Sequence, residues 1–177
     1  MEKHVALLWG SALVGSLIGC ATPSSTIPDP LVVPPPSRLL LETRAVGVQV
    51  YECRASDEDP SQFQWIFKEP VAELFDPAGN HVGRHYGGPT WESDIDGSKV
   101  VGELRARTNP PHPDAIQWLR LDAKSNWGVG VFGRTTAIQR VYTSGGKAPE
   151  EGCVRSTAGA EARVPYRATY YFYGTRS

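Results

Sequence analysis

The chain has 177 residues, a formal charge of -1 at pH 7 and 21% charged residues. That balance gives no overall pull toward nucleic acid or an anionic surface. The length suits one domain with a core of its own.

Residues 5–19 carry no charge and follow Glu2 and Lys3, as a signal-peptide apolar region does. A membrane-spanning helix needs roughly 20 apolar residues, and this run is shorter, interrupted by Gly and Ser, and followed by Ala21, Thr22 and Pro23. Leu17-Ile18-Gly19-Cys20 resembles the lipobox of bacterial lipoproteins. It implies cleavage after Gly19 and acylation of Cys20, the new amino terminus. The competing readings are an ordinary secreted protein cleaved nearby and an uncleaved anchor. The same resemblance implies that Ala21, in place of Asp, lets the mature protein pass to an outer membrane if the organism has one. Assigning Cys20 to lipid leaves Cys53 and Cys153, an even pair that outside the cytoplasm points to a disulfide. Two free thiols are the alternative. Residues 20–37, with six prolines from Pro23 to Pro36, are expected to form an extended tether.

From Arg38 the pattern has period two with turns at short intervals, which predicts a single all-β domain over 38–177. The expected architecture is an antiparallel sandwich or partly closed barrel of about 8 to 10 short strands. Val46, Val48 and Val50 share one strand face, with Gln49, Tyr51 and Cys53 on the other. Phe63, Trp65 and Phe67 alternate along the next strand as an aromatic inner face. VAELFD leads into the turn DPAGN, and HVGRHYGG and TWES are two further short strands. The turn DIDG delivers a strand with Val100, Leu104 and Ala106 inward and Lys99, Glu103, Arg105 and Arg107 outward. NPPHPD is a loop, and IQWLRLDA is a strand entered through a helical turn at Asp114 to Gln117. NWGVG is a loop and FGRTTAIQRVYT a long strand, followed by the loop SGGKAPEEG. ARVPYRATYYFYG, aromatic on both faces, is expected to be a central or closing strand with Pro165 at a bulge or edge.

Gly128-Val-Gly130-Val-Phe-Gly133 fits the dinucleotide pattern, but the residues after it are poor helix formers, so no phosphate-facing helix end is expected. His81 and His85 have the spacing of a helical metal site. On a strand, four residues span about 13 Å, so no metal is expected, and no cofactor either. His85-Tyr86-Gly87-Gly88-Pro89-Thr90-Trp91-Glu92 is the most distinctive stretch. Tyr86 and Trp91 could stack on a ligand, with His85 and Glu92 or Asp94 fixing its polar groups. The plain alternative is a glycine-rich turn whose tryptophan covers the core. Gln139, Arg140 and Lys147 could partner an anion, although exposed strand charges are common.

The stretches VPPPSRLLLETRAVGVQVYECRA, WIFKEPVAELFD, HYGGPTWE, SKVVGELRA, TTAIQRVYTSGGKAPEEGC and VPYRATYYFY resemble the secreted bacterial and fungal family called domain of unknown function 3455. The likeness covers residues 33 to 174. It implies an extracytoplasmic, mostly β domain and carries no activity with it. The expectation is a membrane-anchored envelope lipoprotein facing the periplasm, or secreted if Cys20 is not acylated. Its partners would be the bilayer, through Cys20, and a small molecule or envelope partner, with no nucleic acid. The alternative is an enzyme with a cleft around His85, Trp91 and Glu92.

Overall fold

The computed structural model describes residues 26–175, so the expected lipobox at Leu17–Cys20 lies outside the described residues. Eight antiparallel strands form one closed barrel in which each strand pairs with the next. They are β1 (Arg38–Ala55), β2 (Phe63–Phe75), β3 (His81–Tyr86), β4 (Thr90–Ser93), β5 (Lys99–Thr108), β6 (Trp118–Trp127), β7 (Ala137–Gly145) and β8 (Glu161–Gly174). The strands are not uniformly short, for β1 has 18 residues and β8 has 14. β8 is the closing strand and pairs with β1 from Arg38 opposite Gly174 to Glu52 opposite Glu161. Pro165 pairs with Val48 one residue beyond the last β7 to β8 pair, Gly145 with Tyr166, where a missing N–H disrupts no β7 ladder.

Alternation along the strands decides what fills the barrel. Ala45 on β1, Leu74 on β2, Val100 on β5, Ile138 on β7 and Phe172 on β8 lie in one buried cluster with Trp91. Outward positions such as Arg44, Glu73, Arg84 and Arg105 are exposed and charged. Gly102 makes room for the core, since a Cβ there would come within 3.0 Å of the Trp91 ring and of Leu121.

The two ends differ. At the end where β1 begins and β8 finishes, the β6–β7 loop folds into a 3-10 turn, Phe132–Arg134, whose Phe132 is fully buried against Phe172. Ser98 Oγ accepts the Phe132 N–H at 3.3 Å and so ties this plug to the turn just before β5. The plug contains the GxGxxG stretch as a tight loop with no α-helix behind it. The opposite end carries the loops β1–β2, β3–β4, β5–β6 and β7–β8. There a disulfide joins Cys53 to Cys153, with Cα atoms 5.3 Å apart. It fastens the β7–β8 loop to the end of β1.

Several local expectations change. The helical turn at Asp114 to Gln117 is replaced by a bridge between Ala115 and Gly146, because the loop runs alongside β7 instead of coiling. β6 continues to Trp127, and β7 starts only at Ala137. Leu104 and Phe67, expected inward in the core, are 45% and 50% exposed, since both line an open cavity instead of the packed interior. Register shifts lie beside each, at Leu104/Ala106 and at Val50/Tyr51 opposite Phe67.

The segment expected to be a free tether is partly docked. Leu31, in a 3-10 turn at Asp29–Leu31, is fully buried against Trp118 and Val141 on the outside of the barrel, with Ile27, Ala106 and Tyr171 around it. Gln139 Nε2 and Arg120 Nη1 donate to the Leu31 and Val32 carbonyls. A leucine that covers an apolar patch between strands gains more than the proline-rich chain loses by being held.

Candidate functional site

The loops at the unplugged end surround a cavity of about 1060 Å³. Each wall comes from a different strand or loop. β1 contributes Gln49 and Tyr51, β2 contributes Phe67, Lys68 and Pro70, β3 contributes His85, and β5 contributes Leu104 and Arg107. β6 and the loop before it supply Leu119, Ile116 and Gln117, while β7 and the loop after it supply Arg140 and Lys147. Asn109, Pro110, Pro111 and Pro113 form one side of the mouth. Proline suits that position because it keeps the loop extended without asking for backbone donors.

The charge on this lining is one-sided. Lys68, Arg107, Arg140 and Lys147 line the cavity, and no carboxylate does. Lys68 is paired with Glu161 at 2.7 Å. Arg107, Arg140 and Lys147 have no carboxylate partner among the described residues. Arg140 lies deepest, half-buried, with Nε and Nη2 donating to the Gln117 carbonyl at 3.1 and 2.9 Å. A guanidinium withdrawn from water without a counter-ion is unfavourable unless an anion completes it.

Around Arg140 the buried polar groups are not fully satisfied. Gln49 and Tyr166 are 2% exposed and Tyr170 is 1% exposed. Gln49, Tyr166, Tyr170 and Arg140 form a chain of loose side-chain contacts, Gln49 to Tyr166, Tyr166 to Tyr170 and Tyr170 to Arg140, none of them close to ideal hydrogen-bond geometry. The Arg140 charge nevertheless acts on Tyr51, Tyr166, Tyr170 and His85, so these groups share one electrostatic environment. Burial raises the pKa of all three phenols, which therefore stay protonated. Tyr51 is the satisfied member, its hydroxyl donating to the Gly146 carbonyl at 2.6 Å. Gly146, at φ 84°, must be glycine, because a Cβ would meet Tyr166, Ile116 and Gln49 within about 3 Å.

His85 is 2% exposed. Its Nδ1 lies 2.8 Å from the Thr90 carbonyl, which can only accept, so Nδ1 carries the proton and Nε2 is the acceptor. Burial, with the positive charge of Arg140 adding to it, lowers the ring's pKa to about 3 and keeps it neutral. The cavity offers a ligand an anion clamp, a neutral imidazole and apolar walls.

The structure divides the four residues singled out in the sequence. The tight β3–β4 turn places His85 opposite Trp91 and Arg84 opposite Glu92, so the hairpin turns one pair inward and the other outward. His85 stacks on Trp91 inside, ring centroids 4.3 Å apart, and Trp91 is a core residue at 1% exposure. Tyr86 and Glu92 lie on the outer face, where the Tyr86 hydroxyl donates to Glu92 at 2.8 Å. Lys99 and Arg84 flank the same carboxylate and, with Tyr86, hold its pKa down to about 2. Only His85 of the four reaches the cavity, and a His85–Glu92 base pair is not assembled. Asp94 stands by His81, 3.6 Å from it, and not by His85.

Arg140 and Lys147 do meet in the cavity, whereas Gln139 faces out and holds Leu31. Gln49, Tyr166 and Tyr170 had no sequence signal beyond their parity on β1 and β8. The chain belongs to the family described as Protein of unknown function (DUF3455). That family's model matches residues 34–174, the barrel almost entire. No curated protein and no solved structure matches the chain. The disulfide is consistent with an extracytoplasmic location. Among the described residues, no helix is long and apolar enough to cross a membrane.

Proposed function

We propose that this protein is an envelope lipoprotein, anchored through acylated Cys20, that binds a small amphipathic anion in the mouth of its barrel. The observation that carries the binding role is the cavity of about 1060 Å³ with four cations and no carboxylate on its wall. An eight-stranded barrel leaves room for one small ligand at most, and this volume is at the upper end for a small-molecule site. Arg140 takes the anionic group, and His85 Nε2 accepts from a hydroxyl beside it. Phe67, Leu104, Ile116 and Leu119 cover the apolar body. The leader 1–19 and the lipid on Cys20 are supported by the order Leu17-Ile18-Gly19-Cys20 and by a disulfide that leaves Cys20 as the odd cysteine.

The naphthalene sulfonate dye ANS is a soluble amphipathic anion whose fluorescence rises in apolar pockets. It is expected to bind the chain, to be displaced by decanoate but not decanol, and to lose at least tenfold in affinity in Arg140→Gln. A charge-assisted hydrogen bond contributes about 1.5–3 kcal/mol, which sets that scale. Equal displacement by decanol, or unchanged affinity in Arg140→Gln, would overturn the anion site. Labelling with radioactive palmitate should disappear in Cys20→Ser, and persistent labelling would remove the anchor.

A further inference from the structure

The ladders that close the barrel differ in length, and toward the mouth they leave a notch in its wall. The β3–β4 hairpin is short, so that β3 pairs with β2 only over residues 72–75 and β4 pairs with β5 only over residues 99–101. β2 and β5 both extend past the hairpin tip, β2 from Phe63 and β5 to Thr108. Among the described residues, no strand pairs with 63–71 on the β3 side or with 102–108 on the β4 side. The ladder beside β5 stops where the Gly102 N–H donates to the Pro89 carbonyl at 3.0 Å. One residue before Pro89, Gly88 at φ 124° turns the chain away into the hairpin.

The notch opens into the cavity. Phe67 and Pro70 from one flank, Leu104 and Arg107 from the other, and Gly88 and Pro89 from the hairpin tip all line it. The two free edges are not equivalent. β2 carries Pro70, which has no N–H, and Lys68, both of which discourage pairing. The β5 edge has no proline, and Arg105 and Glu103 are engaged with each other and with Asp122 on β6, away from the notch. A register shift at Leu104/Ala106 resets the alternation, so that Leu104 and Arg107 both reach the cavity. An unpaired edge beside an apolar pocket suits an extended peptide, whose backbone bonds the edge while alternate side chains enter the pocket.

Charge sets the direction. A chain antiparallel to β5 would continue the line of β4, with its carboxyl end at the hairpin tip and its amino end at the mouth. The inner lining holds Arg140 and no carboxylate. The outer end of the notch is flanked by exposed carboxylates, Asp57, Glu58 and Asp59 before β2 and Asp114 after β5. A peptide laid in this direction meets opposite charge at both ends.

We infer that the free edge of β5 takes an extended peptide as an added antiparallel strand, its C-terminal carboxylate directed at Arg140 and its amino end among the acidic mouth loops. This rests on the anion-binding cavity and names its ligand, the amphipathic anion being the end of a peptide. Residues 103–108 offer about 20 Å of edge, room for about six peptide residues.

The test uses the chain from position 20 carrying Cys20→Ser and the hexapeptide Lys-Ser-Thr-Val-Thr-Val with a free carboxyl end, followed by calorimetry and amide hydrogen exchange. The peptide is expected to bind and to slow the exchange of alternate amides within 103–108, leaving those of 63–71 unchanged. Its C-terminal amide should bind at least tenfold more weakly, the scale of a charge-assisted hydrogen bond, and so should the free acid on Arg140→Gln. Methylating the second and fourth peptide nitrogens, or the third and fifth, should weaken binding unequally, since only one set faces β5. Each ladder bond removed should cost about fivefold. Binding without protection of 103–108, equal affinity for acid and amide, or indifference to both methylation patterns would overturn the proposal. Protection of 103–108 that rises with protein concentration in the absence of peptide would assign the edge to a second copy and overturn it as well. ANS uptake on the same samples separates the two proposals. A chain that takes up ANS through Arg140 but ignores the peptide keeps the cavity and loses the added strand, whereas a chain that takes up neither loses both.

Discussion

His85 should make the barrel lose stability on mild acidification. The ring ordinarily titrates near 6.5 and here holds off its proton to about 3. Between those values the unfolded chain binds a proton that the folded chain refuses, so stability falls as pH falls. The contribution is complete above pH 6.5 and is lost progressively below it. At about 1.4 kcal/mol per unit, acidification from pH 6.5 to 4.5 should remove roughly 2–3 kcal/mol. The acid limb of Glu92 is separable, because its carboxyl, held at about 2 in the fold, loses its contribution only as pH falls from about 4.5 toward 2. The measurement is guanidinium unfolding of wild type and His85→Leu at pH 7.5 and 4.5 with the disulfide intact. His85→Leu should be less stable at pH 7.5, because it leaves the Thr90 carbonyl without its donor, at a cost of about 1–3 kcal/mol. Between the two pH values, however, it should lose markedly less than wild type. Equal losses in both proteins, or a His85 ring resonance that titrates near pH 6, would refute the account of a neutral, buried imidazole.

Two further outcomes follow from the packing. Cys53→Ala with Cys153→Ala removes a link between residues 100 apart and should cost about 2–5 kcal/mol in equilibrium unfolding; a change below about 1 kcal/mol would mean that the β7–β8 loop is already held without it. Trp91→Ala should cost about 3–5 kcal/mol, while Trp127→Ala, at 52% exposure, should stay within about 0.5 kcal/mol, and thermal melts of similar midpoint for the two would contradict the placement of Trp91 at the centre of the core.

Much of the barrel is legible along the chain because a strand announces itself locally. The alternation around Val100, the turn at Asp94–Gly97 and the strand pair around Gly87-Gly88 need only neighbouring residues to be read. Closure is not local. Nothing near Leu41 says that it lies opposite Phe172, so sandwich and barrel look alike until the first and last strands meet. The docking of Leu31 was hidden for a similar reason, since the proline-rich composition around it describes the free chain and not the patch that Trp118 and Val141 offer. The candidate site was half legible. A three-residue turn between Tyr86 and Thr90 pairs His85 with Trp91 and separates both from Tyr86 and Glu92, which parity alone could have told. That Arg140 lies near His85 could not be told, because β3 and β7 share no pairing and meet only across the interior. Arg140 on its strand looks like any exposed charge.

The zipper between β1 and β8 also constrains when this molecule can exist. β1 is the longest strand and depends on both β2 and β8, so half of its backbone ladder waits for residues synthesised much later. Such sequence-distant pairing is slow to form, and the thiol of Cys53 likewise finds its partner only 100 residues later. A nascent chain therefore cannot close prematurely around its first strands, and it remains threadable until Gly174 has arrived. For a protein with the features of an exported one, the order of assembly is written into which strand neighbours the first.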